Sequence, residues 1–155
     1  MFVPRPATWQ DLPALLELER QSFPGDPWGE VAVSTALRES GYLTLVIEAP
    51  GADSAALAGY LIGWHVLDEA DLARVGVATA YRRRGLGGRL VAAALEKWSR
   101  VQVARVFLDV RAGNVAALKL YDSLGFERVG SRKNYYADGE DAVLMAHGTS
   151  SGAGE

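Results

Sequence analysis

Arg82-Arg83-Arg84-Gly85-Leu86-Gly87-Gly88 carries the strongest chemical signal in the sequence. Val75-Gly76-Val77 precedes it and an apolar helical stripe follows it. Glycine lets backbone N–H groups approach a ligand closely, and a helix start carries about half a positive charge. Arginines beside such a start suit a pyrophosphate. A basic turn capped by glycines is the plainer reading of the same residues. Gly-Lys-Ser/Thr is missing, which excludes a Walker loop, and the glycines are too closely spaced for a dinucleotide fingerprint. Single-stranded nucleic acid also uses arginines, but one cluster in an acidic chain supports that weakly.

The elements around this bend follow from periodicity. Thr8 and Asp11 have capping-box spacing ahead of Leu12, Leu15, Leu16 and Leu18, with Glu17, Glu19 and Arg20 as the polar positions of that helix. Phe23-Pro24-Gly25-Asp26-Pro27-Trp28 breaks it, and a short helix runs from Val31 to Arg38. Tyr42–Glu48 reads as a strand, and Leu57–Leu67 as its antiparallel partner across a turn at Pro50–Ser54. A turn at Asp68-Glu69 leads to a strand over Leu72–Val77. After Ala80 the period lengthens, and Leu86, Leu90, Val91, Ala94, Leu95 and Trp98 form one helical stripe. Val103–Val110 is a buried strand. Asn114 caps a helix over Val115–Leu124, which Gly125 ends. Terminal strands are expected near Glu127–Tyr135 and Asp141–Ala146. With a first short strand the order is β, α, α, β, β, β, α, β, α, β, β, an α/β (α+β) class with a mixed, mostly antiparallel sheet of about seven strands under about four helices.

The chain has 155 residues, 49% of them apolar and 23% charged, enough for one domain with its own core. Residues 1–147 read as that domain and 148–155 as a flexible tail. Lys and Arg total 16 against 19 Asp and Glu, a net charge of −3 that argues against a dedicated DNA binder. There is no Cys, which removes disulfides, thiolate zinc sites and Cys nucleophiles. His65 and His147 stand alone, so no metal is expected. No apolar run reaches the roughly 20 residues of a membrane helix, and the start lacks signal-peptide regions. The expected compartment is the cytoplasm, with no nucleic-acid or membrane partner.

At Arg82-Arg83-Arg84-Gly85-Leu86-Gly87 the sequence resembles the GNAT superfamily of acetyl-CoA-dependent N-acetyltransferases. Asn114, Ala117-Leu118 and Tyr121-Asp122-Ser123-Leu124-Gly125-Phe126 are similar to a second motif of that superfamily, and the order of elements resembles its fold. The resemblance covers residues 2 to 147. Val66-Leu67-Asp68-Glu69-Ala70, Leu108-Asp109-Val110-Arg111 and Arg132-Lys133-Asn134-Tyr135-Tyr136 resemble the RimI branch, which acetylates the N-terminal alanine of a small-subunit ribosomal protein. Tyr135–Ala142 is also similar to archaeal and eukaryotic N-terminal acetyltransferases.

This resemblance implies acetyl-CoA as cosubstrate, held by Val75, Gly76 and Val77 along the pantetheine and by Arg82, Arg83, Arg84, Gly85, Leu86, Gly87 and Gly88 at the pyrophosphate. It implies that Asn114 binds near the pantetheine, although a simple helix cap explains Asn114 equally. Tyr121 would be the acid for the departing thiolate, with core packing as the alternative. The branch carries a Glu where this chain has Asp109, shorter by about 1.5 Å of reach. The base is therefore Asp109, directly or through a water, or else Glu69 or Asp71, each of which also reads as a turn or solvated residue. Phe23, Trp28, Glu69, Tyr135 and Tyr136 would meet the peptide. An α-amine titrating near 8 is about one-tenth neutral at pH 7, a penalty of about 1.4 kcal/mol against roughly 4.6 for a lysine. A short base is thus better suited to protein N-termini, the expected acceptor. A small amine or lysine acceptor, or a CoA-binding module with little catalysis, are the alternatives.

Overall fold

The structure is a computed structural model that describes residues 2–51 and 56–148. Part of the turn expected at Pro50–Ser54, and the tail from Thr149 to Glu155, lie outside the described residues.

Asp11 organises the N-terminus. Its buried carboxylate accepts the Thr8 N–H at 2.7 Å and both arms of Arg5 at 2.9 and 3.0 Å. The capping pair therefore opens a 3-10 turn at Trp9–Asp11, which then runs into helix α1, Leu12–Ser22. Helix α2 spans Glu30–Arg38. Strands β1 (Arg5–Pro6), β2 (Tyr42–Glu48), β3 (Leu57–Val66) and β4 (Glu69–Val77) form an antiparallel meander. Helix α3 (Leu86–Arg100) crosses over to β5 (Arg105–Arg111), which lies parallel to β4. Helix α4 (Val115–Ser123) and the hairpin of β6 (Glu127–Arg132) and β7 (Ala142–Gly148) complete the chain.

The seven strands lie in the order β1-β2-β3-β4-β5-β7-β6. Leu86, Leu90, Val91, Ala94 and Trp98 of α3 and Leu118 and Tyr121 of α4 pack in one core cluster. Leu12, Leu15 and Leu18 of α1 and Val33 and Ala36 of α2 pack in the other, with Val46, Tyr60 and Ile62 of the sheet. Covered on both faces, β3 is buried continuously from Leu57 to Gly63, and alternation is lost there.

Several boundaries differ from the sequence reading, β5 among them, which runs from Arg105 to Arg111 rather than from Val103 to Val110. Leu67-Asp68 forms the turn, with Leu67 left-handed at φ 56, so β4 starts at Glu69. Strand β6 ends at Arg132, which leaves Tyr135 and Tyr136 in the connecting turn. Gly148, read from the sequence as part of the tail, pairs with Arg105 and closes β7 two residues beyond the expected end at Ala146.

Two features of β4 shape the centre of the molecule. Its parallel pairing with β5 covers only Glu69–Asp71 against Arg105–Phe107, although β4 runs on to Val77 and β5 to Arg111. Beyond Asp71 the strands part. Ile62 and Gly63 are consecutive on β3, yet they face Arg74 and Leu72, so Ala73 is the extra residue of a β-bulge. A bulge bends its strand and re-aims its side chains, and this one sits where the parting begins.

Candidate active site

Where β4 and β5 part, successive stretches of β4 line two cavities. The first, about 410 Å³, is lined by Val75–Val77, the Tyr81–Gly88 bend without Arg84, and Asn114 and Tyr121 of the α4 region. The second, about 1020 Å³, is lined by Asp71–Arg74, Asp109, Arg132 and the Tyr135–Asp138 turn. Phe23 borders the first and Gly25 and Asp26 the second, so the loop after α1 spans both.

In the first cavity the backbone is built to meet a ligand. Beyond Asp71 the β5-facing edge of β4 has no strand partner among the described residues. Such an edge pairs with an extended ligand as a strand would. Gly76 has no room for a side chain: a Cβ there would overlap the Tyr60 ring and Ser22. Gly76→Ala is expected to lower stability by about 2 kcal/mol through overpacking, read as a shift in the urea midpoint. Arg83 (φ 66) and Gly85 (φ 76) are both left-handed, and Gly85 is the N-cap of α3. Left-handed residues at a helix start form the concave row of N–H groups that binds anions. Arg82 Nε donates to the Val77 carbonyl at 3.1 Å and ties the bend to the strand. Arg84 stacks on Tyr81 at 5.6 Å and does not line the cavity.

Asn114 Oδ1 accepts the Ala117 N–H at 3.1 Å, so it caps α4 and lines the cavity at once. Two turns further on, Tyr121 packs edge-on against Phe126 at 5.5 Å. Burial pushes its phenol up to about 12. It is fully protonated through the neutral range, a donor toward any anion forming in the cavity.

The second cavity has a carboxylate wall. Asp109 projects from β5 with its side chain 29% exposed, and Arg132 Nε lies 3.5 Å from its Oδ1. Asp71 lines the same wall from β4, whereas Glu69, two residues further from the parting, lines neither cavity. Of the two alternatives to Asp109, Asp71 is the one at the site. Burial raises the Asp71 carboxyl, and the charge of Asp109 adds to this against a hydrogen bond from Trp64. Tyr135 and Tyr136 meet edge to face at 5.0 Å, each under an arginine: Arg132 at 5.6 Å over Tyr135 and Arg111 at 4.1 Å over Tyr136. Arg111 is in turn held by Asp138 and Glu140 at 2.9 and 3.0 Å. Trp28 lines neither cavity itself, but stacks on Trp64 of the second at 6.3 Å.

The sequence reading missed what holds the loop between α1 and α2. Glu19 is fully buried rather than a polar surface position. Its carboxylate takes the guanidinium of Arg74, the hydroxyl of Tyr60 and, at 2.8 Å, the Trp28 N–H. Arg74 also donates to the Asp26 carbonyl at 2.8 Å and lies 4.0 Å over the Phe23 ring. Phe23, Asp26 and Trp28 are thereby tied to β4. The signal in the sequence is faint: a charged residue at a helix position next to the apolar Leu18.

The described residues hold no cluster of His, Cys, Asp and Glu arranged for a metal, and no helix among them is long and apolar enough to cross a membrane. A split sheet with a glycine–arginine bend at its edge defines an acyltransferase architecture. The model of the acetyltransferase (GNAT) family matches residues 12–126, and the chain belongs to that family. It is 38% identical over 139 residues to the [ribosomal protein bS18]-alanine N-acetyltransferase of Escherichia coli K12, covering 88% of this chain and 90% of that one. A putative enzyme of the same name from Bacillus subtilis is 37% identical over 138 residues, with 88% of each chain covered. The crystal structure of the E. coli ribosomal-protein-S18-alanine N-acetyltransferase superposes with a TM-score of 0.85 at 35% identity, over 96% of this chain and 94% of that one.

Proposed function

We propose that this acetyltransferase moves the acetyl group of acetyl-CoA to the α-amine of a protein N-terminus, and that its acceptor is the N-terminal alanine of ribosomal protein bS18. The observation that carries this reading is that adjoining stretches of β4 line two cavities, one with an open strand edge and a glycine–arginine bend, the other with a carboxylate wall. The first cavity fits the cosubstrate by its chemistry: strand edge for an amide-bearing arm, left-handed Arg83 and Gly85 for a diphosphate. Val75–Val77, Arg82–Gly88 and Asn114 would hold it. Bound there, acetyl-CoA supplies an activated acyl group and a thiol leaving group.

The chain's own groups handle the protons. Asp109, at the end of the carboxylate wall nearest Arg132, accepts the proton that the acceptor nitrogen sheds after attack, as it becomes an amide, directly or through one water. Tyr121 donates to the departing sulfur and regains its proton from solvent. Tyr135 and Tyr136 border the acceptor cavity and offer phenols to the first peptide units, while Phe23 and Trp28 hold the loop across its other side.

Peptides of the bS18 N-terminal sequence, free or blocked at the α-amine, test the reading in an acetyl-CoA consumption assay. The free peptide is expected to react at least about a hundredfold faster, since a blocked nitrogen has no available lone pair and a lysine is about 0.04% neutral at pH 7. Equal rates on the two peptides would overturn it.

A further inference from the structure

We propose that Asp71 is a second catalytic carboxylate, which receives the proton shed by the acceptor's α-ammonium with Asp109 standing beside it. This rests on the transferase reading above. Parallel pairing sets Asp71 opposite Phe107, and Asp109 follows Phe107 by one full pleat. Paired residues in a sheet and residues two apart on a strand share a face. Both carboxylates therefore leave the same side of the sheet where the strands part, and both line the acceptor cavity.

The charged and polar surroundings single out Asp71. Trp64 pairs with it from β3, and the same cavity is lined by Asp109 and Arg111 of β5, Arg132 of β6, Tyr135, Tyr136 and Asp138 of the β6–β7 turn and Asp26 of the loop after α1, with Arg74 further along its own strand. The three arginines that line this cavity are engaged, Arg74 by Glu19, Arg132 by Asp109 and Arg111 by Asp138 and Glu140. No cation pairs with Asp71 among the described residues. It is the acid left to meet an incoming ammonium. Desolvation and the neighbouring charge of Asp109 both raise its carboxyl, which makes it a better proton acceptor than an ordinary aspartate. Asp109 is a methylene shorter than glutamate, and Asp71 adds a proton-accepting oxygen from the adjacent strand.

The step is simple. One N–H bond of the α-ammonium breaks, its electron pair stays on nitrogen as the attacking lone pair, and an O–H bond forms on Asp71. Asp71 is solvent-exposed, its carboxyl only partly desolvated by its neighbours, and it passes that proton to water.

Asp71→Asn, Asp71→Glu and wild type are compared on a free N-terminal peptide at pH 7 and pH 9. Asp71→Asn is expected to lose at least about tenfold in kcat/KM at pH 7. The loss should shrink to about threefold at pH 9, because an α-amine titrating near 8 is by then mostly neutral. Asp71→Glu returns the carboxylate and is expected to keep at least about a third of the wild-type rate. An Asn variant within twofold of wild type at pH 7, or an equal loss at both pH values, would overturn the inference, since a structural role is blind to the acceptor's protonation. An active wild type with an equally active Asn variant removes this inference alone. A wild type inert on every free N-terminus removes the transferase reading and this step together.

Discussion

Tyr121→Phe is expected to slow acetyl transfer by about a hundredfold or more in kcat, with coenzyme A binding unchanged. The ring stays: Phe keeps the edge-on contact with Phe126 and the packing of α4 on the core. Only the hydroxyl is lost, and it has no protein hydrogen-bond partner among the described residues, so folding loses almost nothing. What disappears is the donor in the first cavity. Because burial pushes this phenol up to about 12, it is protonated at every pH where the enzyme would be assayed. A pH–rate profile should therefore show no limb from Tyr121 below about pH 11. Single-turnover kinetics with calorimetric titration of coenzyme A separate the two effects. A Phe variant with wild-type kcat would remove Tyr121 from the chemistry and return it to plain packing.

Glu19→Ala has the largest expected effect on stability, about 3–5 kcal/mol. The side chain is 1% exposed and its partner Arg74 13%, so solvent cannot replace the lost charge. Truncation would leave a buried guanidinium, the Tyr60 hydroxyl and the Trp28 N–H without their acceptor. Domains of this size are stable by about 5–15 kcal/mol, so the variant would lose a large share of that margin. Urea unfolding followed by tryptophan fluorescence measures it. A second change, Arg74→Met, is expected to recover part of the loss by removing the stranded charge. A Glu19→Ala protein with an unshifted urea midpoint would show the network to be inert.

The bend at Arg82–Gly88 was legible as a candidate because backbone freedom and charge are declared directly by residue types, and its left-handed Arg83 and Gly85 stand at the start of α3. The helices and strands were legible for a related reason: Leu86, Leu90, Val91, Ala94 and Trp98 keep their period in any context. Glu19 was not, since its burial is compensated by Arg74, 55 positions away, and nothing local records the pairing. Glu69 and Asp71 looked equivalent in the sequence. Which of them reaches the cavity depends on where β5 leaves β4, a property of two strands and a crossover helix together. The end of β6 at Arg132 was likewise blurred, because Tyr135 and Tyr136 have strand-like side chains but sit in a turn with Asn134 left-handed at φ 50.

The bulge at Ala73 has one more consequence. It puts the two halves of β4 out of phase, so Asp71 and Arg74, three positions apart, look the same way. Asp71–Arg74 line the second cavity and Val75–Val77 the first, so a single strand, bent once, forms a wall of both.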